Sequence, residues 1–281
     1  MKLEVLSRIE ELIFNAYIRI NTVLSDDVKT AIERSLKEEC SERAKEVLRI
    51  ILENGEIARN NNIPLCQDTG AALIDFYVDQ VPQSELIDCA NRAVSRAVEI
   101  GKLRPSIVKA ALTLRENTMN NTPIFATFNA ANGKPQVYVM ARGGGSENAS
   151  ALFKMNPTAS RQEIEDIVIK HISKVAPKSC PPLVIGICVG GMSEQTVLHS
   201  RFALFREVGS TNTNPLLAEM ENDILGKING LGIGPGGSGG VTTALAVHIN
   251  ELPTHIACLP VAVSVCCHSL RRTIVDLPVE G

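Results

Sequence analysis

Apolar residues recur at three- and four-residue steps through the first sixty positions. Leu6, Ile9, Ile13, Ala16, Tyr17 and Ile20 form one series, Val28, Ile32 and Leu36 a second, and Ala44, Val47, Leu48 and Ile51 a third. That period marks the apolar stripe of an amphipathic helix, so three helices are expected: over 3 to about 20, after the Ser25-Asp26-Asp27 cap, and from Ser41 towards Asn60. Gly55 either bends the third or lies within it. Beyond residue 70 the pattern mixes. Ala71 to Val78 reads as a strand, and Ser84 to Ile100 as a helix ended by Gly101. Ser106, after Leu103-Arg104-Pro105, is placed to cap whatever follows. Pro123 to Phe128 and Gln136 to Ala141 read as strands joined through Asn132-Gly133, a hairpin-turn pair. A helix over Arg161 to Lys174 is broken by Ala176-Pro177-Lys178-Ser179-Cys180-Pro181-Pro182. A strand (Leu183 to Val189), a Gly190-Gly191 turn and a helix (Ser193 to Glu207) follow, then a helix from Pro215 to about Leu231. Thr242 to Ile249 and Ile256 to Val265 look like buried strands. The fold class is therefore mixed α/β (α+β): an N-terminal helical region followed by strands packed by helices.

Composition narrows what such a fold is for. With 281 residues and 44% hydrophobic content, the chain can bury one large core or two modest ones. A net charge of -3 provides no field to attract nucleic acid or anionic lipid. Aromatics are 4% and tryptophan is absent, which removes the usual base-stacking platform, so nucleic acid is not an expected partner. No apolar run approaches the ~18 residues of a membrane span, and Met1-Lys2-Leu3-Glu4 lacks a signal core, so no membrane partner and a cytoplasmic location are expected. Eight cysteines in a long chain without an export signal leave metal, cluster or plain burial as readings.

Candidate chemistry concentrates at chain breaks. Pro64-Leu65-Cys66-Gln67-Asp68-Thr69-Gly70 sets a thiol, an amide, a carboxylate and a hydroxyl on a loop, and reads either as a functional site or as a capped turn with a buried thiol. Arg104 either clamps a carboxylate or is solvated. Gly143-Gly144-Gly145 is an anion-binding nest or a flexible connector. The Gly232 to Gly240 loop lacks the lysine of a P-loop, which argues against nucleotide binding, yet permits close backbone approach to a ligand or another chain. Cys66, Cys180 and Cys267 lie at breaks. Cys40 falls at a helix junction, Cys89 rides on a helix, and Cys188, Cys258 and Cys266 sit within or beside apolar runs, where packing is the simplest role. No C-x-x-C ligand pair occurs. Three thiolates around a 4Fe-4S cluster would leave one iron open to polarise a substrate oxygen.

Cys66-Gln67-Asp68-Thr69-Gly70, Cys180-Pro181-Pro182, Gly232-Ile233-Gly234-Pro235-Gly236-Gly237, Ala244-Leu245-Ala246-Val247-His248-Ile249, Pro253-Thr254-His255-Ile256 and Cys267-His268 together resemble the iron-sulfur-dependent class I fumarate hydratases. The likeness runs along nearly the whole chain and matches their α subunit. It implies one α-type, cluster-binding domain over residues 1–281, with Cys66, Cys180 and Cys267 as ligands of a 4Fe-4S cluster. It further implies that Gln67, Asp68, Arg104, Gly143, Gly144, Gly145 and His255 line the substrate site, with Asp68 and His255 in catalysis. The expected reaction is reversible hydration of fumarate to (S)-malate. The chain stops at Gly281, without the β-type domain that supplies further basic residues and the proposed base, so a separate fumarase β subunit and an α2β2 assembly are expected. The α subunit of L-tartrate dehydratase, or of a mesaconate-type hydratase, shares much of this motif order. Pro253-Thr254-His255-Ile256 and Leu103-Arg104-Pro105-Ser106 look more like the fumarase pattern, which makes fumarate the expected substrate. A non-catalytic iron-sulfur protein is the alternative from another class.

Overall fold

The computed structural model describes residues 2–79, 81–131 and 133–277. In chain order the elements are α1 (Lys2–Thr22), α2 (Asp26–Glu38), α3 (Glu42–Asn61), β1 (Ala71–Tyr77), α4 (Gln83–Ile100), β2 (Phe125–Asn129), β3 (Gln136–Arg142), the short α5 (Gly144–Asn148), β4 (Ala151–Met155), α6 (Arg161–Val175), β5 (Leu183–Gly190), α7 (Ser193–Ala203), α8 (Pro215–Asn229), β6 (Ala244–Leu252), β7 (Leu259–Cys266) and β8 (Arg272–Asp276). The expected mixed α/β class is borne out, and Gly55 lies inside α3. The chain forms two compact units. The first comprises Met1–Ser25, Asn54–Gly144 and Arg271–Gly281; the second comprises Asp26–Glu53 and Gly145–Leu270.

In the first unit, the α1 stripe of Ile9, Ile13, Tyr17 and Ile20 packs with α4 against a four-stranded sheet ordered β2-β1-β3-β8. Ala90, Ala93 and Ala97 give α4 a small-residue face that admits α1 closely. From the sheet come Ala72, Ile74 and Phe76 of β1 with Val137, Val139 and Ala141 of β3, the alternate positions that face one side of a pleated strand. Each large apolar side chain so buried contributes about 1.5–3 kcal/mol. Gly101 ends α4 with an ordinary φ of -78°, and glycine suits it for room, because a Cβ would stand 2.7 Å from the Ala97 carbonyl oxygen.

Two sequence expectations for this unit are corrected. The strands flanking Asn132-Gly133 do not pair as a hairpin, and Asn132 itself lies outside the described residues. β1 lies between them, parallel to β2 (Leu73 opposite Phe125) and antiparallel to β3 (Ile74 opposite Val139). Turn composition reports a local reversal, whereas burial sets neighbours: β1 and β3, each with most residues buried, take the two interior places, and β2, with none fully buried, takes an edge. No helix follows Ser106: its hydroxyl donates back to the Arg104 carbonyl (3.2 Å), and the stretch continues as an irregular arm closed by a Val108–Asn117 bridge.

The second unit has a sheet ordered β4-β7-β5-β6, in which β5 and β7 are central and almost continuously buried. α6 and α8 share one core with this sheet, through Ile164, Val168, Ile172, Met220, Ile224 and Ile228. α7 packs on β5 and β7 so closely that a Cβ on Gly186 would collide with the Ser200 carbonyl. A Ser200–Ser264 hydroxyl pair at 2.9 Å joins the same elements. α7 ends at Ala203 rather than Glu207, and β7 begins at Leu259, so Ile256 belongs to an exposed turn and not to a buried strand. The half-exposed β4 and β8 have no counterpart in the sequence reading; strands of five residues with mixed exposure carry too few positions for a periodic signal.

Candidate active site

In the first unit the stretch between α3 and β1 is irregular, and buried groups hold it at every second or third residue. Leu65 donates its N–H to the Asn21 carbonyl (2.8 Å) and accepts from Asn54 Nδ2 (2.9 Å). Both oxygens of Asp68 accept backbone amides, Oδ1 from Gly70 (3.1 Å) and Oδ2 from Gly144 (2.8 Å). The buried Arg271 donates through Nη1 to the Asp68 carbonyl (2.7 Å) and to Asn21 Oδ1 (3.0 Å). Gly70 takes a φ of 77° and lies against β3, where a Cβ would stand 2.6 Å from the Arg142 carbonyl carbon, so no other residue fits. Its carbonyl accepts from Tyr17 Oη (3.3 Å). Burial pushes the Tyr17 phenol well above its usual range, with Arg271 and Asn21 opposing, so it remains a neutral donor.

Thr69 Oγ1 and Asn121 Nδ2 both donate to the Arg104 carbonyl, at 2.9 and 3.1 Å. The backbone of Arg104 is thereby tied to the Asp68 loop across 35 residues of sequence, while its side chain is exposed. Gln67 is exposed and Cys66 half-buried. Gly143 completes the cluster: a Cβ there would meet Asp68 Oδ2 at 3.0 Å and Arg271 Nη2 at 3.4 Å. Gly144 and Gly145 begin α5, and the Gly144 amide is committed to Asp68. Within this unit, then, Cys66, Gln67, Asp68, Arg104, Gly143 and Gly144 fall into one loop cluster. Tyr17, Asn21, Asn121 and Arg271 hold it. Tyr17 was legible only as part of the α1 apolar stripe, and Asn21, Asn121 and Arg271 carried no functional signal in the sequence.

In the second unit, Cys180 is exposed and sits just after the turn that ends α6, with a left-handed φ of 51° that is costly for a residue bearing a Cβ. Cys267 is the first residue after β7, hydrogen-bonded to Ser269 Oγ at 3.3 Å. His268 Nδ1 donates to the Cys180 carbonyl (3.1 Å). β5 and β7 run antiparallel with Val184 opposite Cys266, so Cys180 and Cys267 share one end of the sheet. The glycine-rich loop braces that end. Gly236 donates to the Pro181 carbonyl (2.8 Å), and the amides of Val241 and Thr242 return onto the buried Glu39 carboxylate at 2.9 and 3.0 Å. The close approaches its glycines permit are to the chain itself: a Cβ on Gly240 would stand 2.7 Å from Ala44 Cβ.

His255 lies on the exposed connection after β6, its Nδ1 accepting the Ala257 amide (3.1 Å), so that a neutral ring carries its proton on Nε2. β6 is parallel to β5, with Leu252 opposite Gly190, which places His255 at the other end of the sheet from Cys180 and Cys267. The eight residues of β5 put about 25 Å between the two ends.

The remaining cysteines divide by burial. Cys89, Cys188 and Cys266 are buried, and burial pushes the Cys188 thiol up to about 12, which makes it inert. Cys258 is exposed on the turn before β7 and does not pack, correcting the expectation; it lies past the apolar turn residues and before the first paired strand position. No described cysteine forms a disulfide. Among the described residues no three His, Cys, Asp or Glu side chains converge as a single metal ion requires.

In the first unit, then, a half-buried thiol, a carboxylate held by two amides and an exposed arginine share one loop cluster. The chain belongs to the fumarate hydratase (Fumerase) family, whose model matches residues 10–276. It is 34% identical to a Methanocaldococcus jannaschii protein provisionally named L(+)-tartrate dehydratase subunit alpha, over 98% of this chain and 99% of that one. It is 28% identical to the L(+)-tartrate dehydratase subunit alpha of Escherichia coli K12, over 96% and 91%. The family is one of hydro-lyases, and these relatives are named as alpha subunits.

Proposed function

We propose that this chain is the α subunit of a two-subunit hydro-lyase that adds or removes water across a four-carbon dicarboxylate. The observation that carries the reading is the Cys66-Gln67-Asp68 loop, fixed from beneath by buried partners while its thiol and amide stay outside the core, in a chain of this family. Cys66, Cys180 and Cys267 fit a 4Fe-4S cluster: all three thiols stand outside the cores, and cluster thiolates bind separate irons, so they need not converge on one point. When bound, the cluster supplies an open iron as Lewis acid for the substrate hydroxyl.

The protein's own groups do the rest. Arg104, its backbone pinned by Thr69 and Asn121, takes a substrate carboxylate through its planar fork. Gln67 offers an amide to the same small anion. Asp68, with both oxygens already oriented by amides, faces the hydroxyl that enters or leaves and moves its proton. His255 stands at the far sheet end from Cys180 and Cys267, so a part for it in this reaction requires that another copy of the chain present it, as an α2β2 assembly permits. The base for the carbon-bound proton is assigned to the β-type partner that the relatives' name, subunit alpha, supports.

Two substrates have support. The names of the relatives favour L-tartrate, and the description of the family favours fumarate and malate. The two differ by a hydroxyl, a group that a hydrogen-bonding pocket discriminates strongly. Anaerobic reconstitution of the chain with its β partner, followed by side-by-side turnover of L-tartrate, fumarate and mesaconate, decides between them; a cluster-loaded pair that turns over none of the three defeats the reading.

A further inference from the structure

Arg271 is charged yet only 4% exposed, and its two hydrogen bonds run from one nitrogen, Nη1, to two neutral oxygens, Asn21 Oδ1 and the Asp68 carbonyl. Its Nε is buried with no acceptor among the described residues. Burying a guanidinium on such terms is unfavourable, so packing alone is a poor reason for it. Its surroundings are rigid. Its carbonyl accepts the Ala141 amide of β3 (3.0 Å), it immediately precedes β8, and Asn21 is held in turn by its Nδ2 on the Tyr17 carbonyl (3.0 Å). Gly143 leaves space where the Arg271 Nη2 and the Asp68 carboxylate both approach the same missing Cβ.

We infer that Arg271 is a positioning residue of the hydro-lyase site, fixing the Asp68 backbone so that the carboxylate spans the amides of Gly70 and Gly144. The inference rests on the reading that Asp68 serves the reaction. Lysine carries three donors but on a flexible stem without the planar guanidinium, so it holds the same two acceptors less firmly.

The test is amide hydrogen exchange on the full chain with its partner, alongside kinetics, for Arg271→Met and Arg271→Lys. Both variants are expected to lose at least tenfold protection at Gly70 and Gly144 while β3 and α4 keep theirs. kcat is expected to fall at least tenfold with KM within about threefold and cluster iron unchanged, Arg271→Lys being the milder. Wild-type protection at both amides overturns the inference, as does a loss spread evenly through the unit, which marks a merely structural role. Should Arg271→Met not fold, the lysine variant carries the test. Full activity in Asp68→Asn defeats the assignment of Asp68 to the reaction but leaves the exchange result to judge Arg271.

Discussion

Cys180 holds a left-handed backbone although it carries a Cβ, whereas Cys258 rests on an exposed turn with no such constraint. After anaerobic reconstitution, Cys180→Ser is expected to retain less than a tenth of wild-type iron and Cys258→Ser nearly all of it; equal loss in iron and sulfide assays refutes the sorting of thiols. Gly70→Ala combines a positive φ with a 2.6 Å approach to the Arg142 backbone, so a loss of about 3 kcal/mol in urea unfolding is expected. The loop from Pro64 to Gly70 was visible in the sequence as chemistry between a proline and a glycine, but its residues alone also suited a capped turn. Thr69 shows why. Its hydroxyl is local, while its acceptor, the Arg104 carbonyl, lies 35 residues on. Arg271 was harder still to read, because a basic residue after a strand ordinarily points to solvent.

Hydrophobic period located α1 to α4, α6, α8 and the cores of β1, β3 and β5, since each buries one stripe or one run. Period says nothing about which strands are neighbours, and so the hairpin across Asn132-Gly133 failed while both of its strands existed. The glycine-rich loop is a comparable case. Its composition suggested approach to a ligand or another chain, and the structure closes it on Glu39. Burial alone would push the Glu39 carboxyl up, but amides of Thr242, Ser41, Val241 and Cys40 hold it below the usual glutamate range. A carboxyl depressed by folding contributes stability above its unfolded pKa, and that contribution is lost as pH falls through the folded value. Unfolding midpoints should therefore drop below about pH 4.3, the ordinary glutamate value. Glu39→Gln should cost about 1–3 kcal/mol at pH 7 and flatten that acid limb. An unchanged pH profile in the variant excludes the clamp.

At the scale of the molecule, two cores divide the candidate residues: Cys66, Gln67, Asp68 and Arg104 belong to the first unit, Cys180, His255 and Cys267 to the second. The proposed assembly with a β-type chain makes a direct prediction. The purified chain carrying its cluster should show less than 1% of the turnover regained when the partner is added, measured by substrate-dependent absorbance; full activity alone removes the need for a partner. Among the described residues no helix is long and apolar enough to cross a membrane.

By itself the sequence determined the element types, the mixed α/β class and the short list of reactive side chains, because periodicity, proline, glycine and thiol chemistry act over a few residues. Only tertiary structure decided that β1 separates β2 from β3, that Cys258 is exposed, that Arg271 lies buried under Asp68, and that His255 stands a sheet's length from Cys180. Each of these depends on contacts between residues distant along the chain, set by which faces bury the most apolar surface and which polar groups must then find partners inside.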